Sequence, residues 1–188
     1  MKKKITIVVL IASLLIAYFL FVNAYQAKSI EEALETPTQS IYEIIHVEDL
    51  DGSFFVVSKS GDYLHTAVVN QLLGRYKTVY SGVHGDIDEV AEVFGVTDHY
   101  FPGIKYVSKP ILYGVIGDLE ISKLELYNKD SKAGENIEII EKDAIKLWIK
   151  TLENTDEIEY VLKGYNEKGE EIIERDLKFK PREIRSYY

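Results

Sequence analysis

The first 27 residues constrain this chain most. Lys2, Lys3 and Lys4 precede "ITIVVLIASLLIAYFLFVNAYQA", Ile5 to Ala27, a run without a single charge. Its strongly apolar part, Ile5 to Val22, is 18 residues long. As a helix that is about 27 Å, against a hydrocarbon core of about 30 Å. A secretory h-region is usually about 7–15 residues, so this run is long for one. The expectation is a transmembrane helix through residues 5–22. Lysines on its N-terminal side put that end in the cytoplasm and the rest of the chain outside. The alternative is a signal peptide cleaved near Ala24, after the small-residue pattern Val22-Asn23-Ala24, releasing a secreted domain.

The three lysines are the only charges before Lys28. The remainder therefore carries −12, against −9 for the whole chain of 188 residues. So acidic a surface is repelled by phosphate backbones, which argues for no nucleic-acid partner and leaves a cation or a cell-envelope protein open. The chain has no cysteine, so disulfides, thiolate metal sites and cysteine nucleophiles are excluded. Fourteen tyrosines and seven phenylalanines favour strands, because aromatic rings suit a pleated, half-buried surface.

Punctuation along the chain predicts its organisation. Residues 28–40 hold a short helix and a linker: Ser29 and Glu32 have capping-box spacing, and Pro37 stops the helix. Residues 41–103 read as a β-meander half. "IYEIIHVE" and "SFFVVSKS" flank "DLDG", a hairpin signal. "YLHTAVVNQLL" fits helix or strand, and "RYKTVYSG" alternates like a strand ending near Gly82. Residues 83–103 mark the boundary, with a helical turn in "DIDEVAEVF" and an aromatic loop in "DHYFPG". Residues 104–180 carry short apolar runs at sandwich-like spacing, including "PILYGVI", "ENIEIIEKD", "AIKLWIKTL" and "EIEYVLKGYN". Asp143 could instead cap "AIKLWIKTL" as a helix. Residues 181–188 form a short tail. The fold class is mainly β (α+β): a transmembrane helix, a short helix, a β-meander and a C-terminal β-sandwich.

"SIEEAL", "GRYKTVYSG", "PILYGVIGDLEISKLEL", "IKLWIK" and "KGYNEKGEEI", in this order, resemble a group of uncharacterised exported or membrane-anchored proteins of Bacillus-type Gram-positive bacteria. The resemblance covers roughly residues 29–173. It implies a signal-like helix before a β-rich domain, and an immunoglobulin-like C-terminal half closed by the Tyr165-Asn166 to Gly169 hairpin. It carries over no catalytic residue.

No motif assigns an activity. Aligning Gly52 with the sixth position of an EF-hand loop leaves no glutamate at the twelfth, so "EDLDG" reads as a turn. G-x-S-x-G, S-x-x-K and glycine-rich phosphate loops are missing. None of His46, His65, His84 and His99 has the spacing that prealigns metal ligands on one element, although His46 and His65 lie on candidate neighbouring strands. Dense titratable groups between His84 and His99 make Asp86, Asp88 and Glu89 the candidate metal residues; the plain reading is a solvated acidic surface. His99, Tyr100, Phe101 and Tyr106 are the candidate contacts for a ligand or partner, with packing between the halves as the plain reading. Trp148 would share a strand face with Lys146 and Lys150, as an exposed stacking platform or as a core tryptophan. No cofactor is implied. The expected function is a membrane-anchored extracytoplasmic module that binds or scaffolds at the cell envelope. The alternatives are an envelope enzyme with a site near His84–His99, or a cation-responsive ectodomain.

Overall fold

The computed structural model describes residues 2–35, 42–87, 95–103, 109–129, 134–153 and 158–179. Contacts divide the chain into two units. The first holds residues 1–60 and 65–82, the second residues 61–64 and 83–188.

In the first unit, helix α1 spans Lys2–Tyr25 and helix α2 spans Ile30–Leu34. The side chains of α1 are described from Thr6 to Leu20, and all of them are exposed. Among the described residues, no helix is long and apolar enough to cross a membrane. Helix α2 begins as its spacing predicts. The Ser29 hydroxyl accepts from the Glu32 N–H at 3.2 Å, and the Glu32 carboxylate reaches back to the Lys28 N–H at 2.7 Å. The first bond satisfies a donor that the helix start leaves open; the second ties Glu32 to the residue before the cap, one position short of the capping-box partner. Leu34 then packs with Val56, Ala67 and Val69 of the meander. Pro37 lies outside the described residues.

The meander is antiparallel, in the order β1 (Glu43–Asp49), β2 (Ser53–Ser60), β3 (Tyr63–Leu72), β4 (Arg75–Asp86). "EDLDG" is a hairpin turn: Asp51 and Gly52 both have positive φ, 56° and 97°, and the Leu50 N–H donates to the Ser53 carbonyl at 2.7 Å. Positive φ at both central residues is what a two-residue type I′ turn demands. The ambiguous stretch from Tyr63 is a strand, with residues 64–69 buried without alternation. Strand β4 runs four residues past its expected end at Gly82. That glycine does not adopt positive φ, so it extends the strand instead of turning it.

The second unit is a sandwich of two four-stranded antiparallel sheets. One has the order β5-β6-β10-β9, from β5 (His99–Phe101), β6 (Ile111–Ile116), β9 (Ile139–Lys142) and β10 (Ile145–Thr151). The other has the order β12-β11-β7-β8, from β7 (Lys123–Asn128), β8 (Gly134–Ile137), β11 (Ile158–Tyr165) and β12 (Glu171–Phe179). Leu112, Ile116, Trp148 and Leu152 of the first meet Leu124, Leu126, Ile137, Leu162 and Leu177 of the second in one core.

Three expectations change here. "HYF" in the aromatic loop is strand β5, paired with β6. Val96 joins the sandwich core, so the described part of the expected boundary stretch from residue 95 belongs to this unit. "ENIEIIEKD" is two strands, broken at Glu138: β8 pairs with β7, and β9 with β10, so the chain changes sheets there. The segment around "AIKLWIKTL" is a strand, and Asp143 lies in the β9–β10 turn, not at a helix start.

That turn stores a local conflict. Asp143 and Ala144 have φ of 49° and 65°. A Cβ in left-handed backbone costs roughly 1 kcal/mol that glycine avoids. Ala144→Gly is expected to stabilise the protein by about 1 kcal/mol, raising Tm by about 2–4 °C. A thermal melt showing no gain would remove this reading of the turn.

Candidate functional site

Antiparallel pairing sets His99 of β5 opposite Tyr113 of β6, and His84 comes from the far end of β4. The three rings form one cluster. Centroids are 4.7 Å apart for His84–His99, 5.4 Å for His84–Tyr113 and 5.3 Å for His99–Tyr113. The Tyr113 hydroxyl and His84 Nε2 share a hydrogen bond of 2.9 Å. Burial lowers the pKa of His99, with the neighbouring Asp98 carboxylate opposing the shift. Asp98 is itself held at 2.9 Å by Arg175 of β12, which also donates to the Val96 carbonyl. The cluster is thus two imidazoles and a phenol packed face and edge. Tyr113 is only 4% exposed, which leaves its phenol little access to a substrate.

The candidate contact residues do not share one surface. Strand alternation separates them: Tyr100 stacks on Phe179 at 5.1 Å and packs against the sandwich core, while Phe101 is 3% exposed. Burial also raises the pKa of Tyr100. His99 alone joins the histidine–tyrosine cluster, and Tyr106 lies outside the described residues. Of the candidate metal residues, Asp86 ends β4, while Asp88 and Glu89 lie outside the described residues. Among the described residues, no three histidine or carboxylate side chains come together as a metal site. His46 pairs with Glu48 at 3.2 Å, and His65 packs edge-on to Tyr42 at 5.0 Å, so these two histidines have different partners.

His99 and His65 both have pKa values lowered by burial. The folded state then binds fewer protons than the unfolded state, so stability falls with pH. The loss begins as pH drops through the unfolded value of 6.5 and continues to the folded values. Melts from pH 8 to pH 5 should show a falling Tm, less steep in His99→Phe. Equal slopes for the two proteins would show that His99 is not held neutral.

A second feature lies at one end of the sandwich. The turn between β6 and β7 and the hairpin between β11 and β12 border an open cleft of about 380 Å³. Leu119, Glu120, Lys146, Asn166, Glu167 and Lys168 line it. Both turns are held by a side-chain oxygen of their own first residues. Asp118 accepts from the Glu120 N–H at 2.9 Å, and Asn166 from the Lys168 and Glu170 N–H groups at 3.0 and 2.9 Å. The Ser122 N–H joins the two turns through the Tyr165 carbonyl at 2.9 Å. Leu119, 77% exposed, sits at the rim. In the sequence, "GDLE" and "NEKG" read only as turns; nothing local signals that they stand side by side.

Compared with protein-family models, with curated proteins and with solved structures, the chain matches none.

Proposed function

We propose that this chain is a membrane-anchored, extracytoplasmic binding module of the cell envelope. The carrying observation is α1: from Thr6 to Leu20 every side chain is exposed, and none is charged. A helix apolar all round, with no polar face for water, is suited to hydrocarbon. The uncharged run in the sequence extends beyond this stretch at both ends, and Lys2–Lys4 set a cytoplasmic N-terminus.

The sandwich supports a binding role. Its sheets, β5-β6-β10-β9 and β12-β11-β7-β8, correspond to strands A-B-E-D and G-F-C-C′ of an immunoglobulin-like domain. On that reading, the cleft lies between the B–C and F–G loops, where rigid turns present Leu119, Glu167 and Lys168 to a protein of the envelope. The buried phenol of Tyr113 favours this over an enzyme built on the histidine cluster.

The chain lacks cysteine, so single cysteines can report topology. In intact cells, an impermeant maleimide should label Lys168→Cys and spare Lys3→Cys until lysis. A photo-crosslinker at Leu119 should then capture a discrete envelope protein, which Lys168→Glu weakens. Labelling of Lys3→Cys alone would overturn the location. Crosslinking no stronger than at Lys142 would overturn the binding end.

A further inference from the structure

The β3–β4 turn is chemically odd. Its tip is Leu72-Leu73-Gly74, and Leu72 and Leu73 are 44% and 62% exposed. Leu73 has φ of 53°. Left-handed backbone suits glycine or asparagine, and a leucine there costs free energy while burying little. The turn therefore gains nothing for folding in water from its leucine. The leucine suits an apolar environment outside the chain.

The neighbours of the turn say which environment. Leu73 lies beside Leu15, Ile16, Tyr18, Phe19 and Leu20 of α1, where it lines an open apolar recess. The helix and hairpin are tied together just above. Ala27 and Tyr76 exchange backbone hydrogen bonds of 3.0 and 2.9 Å, two residues beyond Gly74. Gln71 also donates to the Tyr76 hydroxyl at 2.8 Å across the hairpin. The tip thus runs alongside α1 some five to ten residues back from the Tyr25 end, about 8–15 Å at a rise of 1.5 Å per residue. Arg75, Tyr76 and Lys77 follow the tip immediately, as cations and a phenol do at a headgroup layer.

We propose that Leu72 and Leu73 form a second membrane contact, a wedge seated at the headgroup–acyl boundary of the outer leaflet beside α1. This rests on the reading of α1 as a membrane anchor. The apolar surface of the tip is continuous with that of the helix, so lipid that covers one covers the other. A depth of about 5–10 Å is the usual one for interfacial apolar contacts. One helix allows the domain to swivel, whereas a helix and a wedge together orient it on the surface.

The test uses the full chain in phosphatidylcholine vesicles. An environment-sensitive nitrobenzoxadiazole label is placed on a single cysteine at Leu73, Leu14 or Lys168, all at exposed side chains. Quenchers are lipids with a nitroxide high or low on the acyl chain. At position 73 the shallow quencher should act at least twofold more strongly than the deep one. At position 14 the deep one should dominate, and at position 168 neither should act. If position 14 is quenched while position 73 behaves like 168, α1 is inserted and the wedge is wrong. A blue-shifted but unquenched label at 73 means the tip is covered by protein, for example a second copy, and also overturns it. If position 14 is unquenched, the anchor reading fails and the wedge with it.

Discussion

Replacing Gly114 by alanine is expected to unfold the sandwich unit or leave it barely stable. Gly114 pairs with Trp148 across β6 and β10. A Cβ there would lie 1.8 Å from the Thr97 carbonyl oxygen and 2.6 Å from Trp148 Nε1. Those two atoms are hydrogen-bonded to each other at 2.9 Å. Neither can withdraw. Trp148 is fully buried, and Thr97 is fastened twice to Val115, by its N–H to the carbonyl at 2.9 Å and by its hydroxyl from the N–H at 2.8 Å. Overpacking a core usually costs about 1–3 kcal/mol, and a clash with immobile backbone belongs at or above the top of that range. We expect at least about 3 kcal/mol, a large part of the roughly 5–15 kcal/mol that stabilises a typical protein. Trp148 is the sole tryptophan, so its fluorescence in a urea titration reports the site directly. Gly134→Ala is the comparison. Its Cβ would meet the ring of the half-buried Tyr127 at 2.6 Å, a side chain and not backbone, so the loss should be smaller. A Gly114→Ala protein as stable as Gly134→Ala would show that the close approach is not real.

If α1 anchors the chain as proposed, two lysines in its middle should abolish membrane retention. On insertion scales a central lysine costs about 2.5–3.5 kcal/mol, where a leucine contributes about −0.3 to −0.6. Leu14→Lys with Leu15→Lys therefore shifts insertion by about 6–8 kcal/mol, more than four powers of ten. The side chains are exposed in this chain, so the sandwich should fold unchanged. The expected outcome of alkaline carbonate extraction is pelleting of the parent protein and release of the variant, both with the same near-ultraviolet circular dichroism. Release of the parent protein would overturn the anchor; retention of the variant would show that something other than α1 holds it.

What could be read in advance follows how local each signal is. Asp51-Gly52 announces a turn because only certain residues accept positive φ, and that preference needs no distant partner. Ser29 and Glu32 announce a helix start for the same reason. Trp148 is different. Alternation put it on one face with Lys146 and Lys150, and with lysines beside it an exposed platform and a core tryptophan both stayed open. They do not oppose burial: Lys146 reaches the Ile121 carbonyl and Glu141, and Lys150 pairs with Glu135, so their charges are met away from the indole. The histidine–tyrosine cluster was half visible. His84 and His99 stood out as titratable groups, but Tyr113 joins them only through the β5–β6 register.

The sequence by itself determined the apolar N-terminal run, the short capped helix, the β-rich class and the positions of its tight turns. Each follows from what nearby residues permit in backbone angle or in water. The tertiary structure alone decided the order β5-β6-β10-β9 against β12-β11-β7-β8, the change of sheet at Glu138, and the meeting of residues 117–122 with 166–170 around a cleft. All six residues of β6 are buried, so its two faces look alike in sequence. Which face meets the core, and beside which strand, depends on packing between segments far apart in the chain.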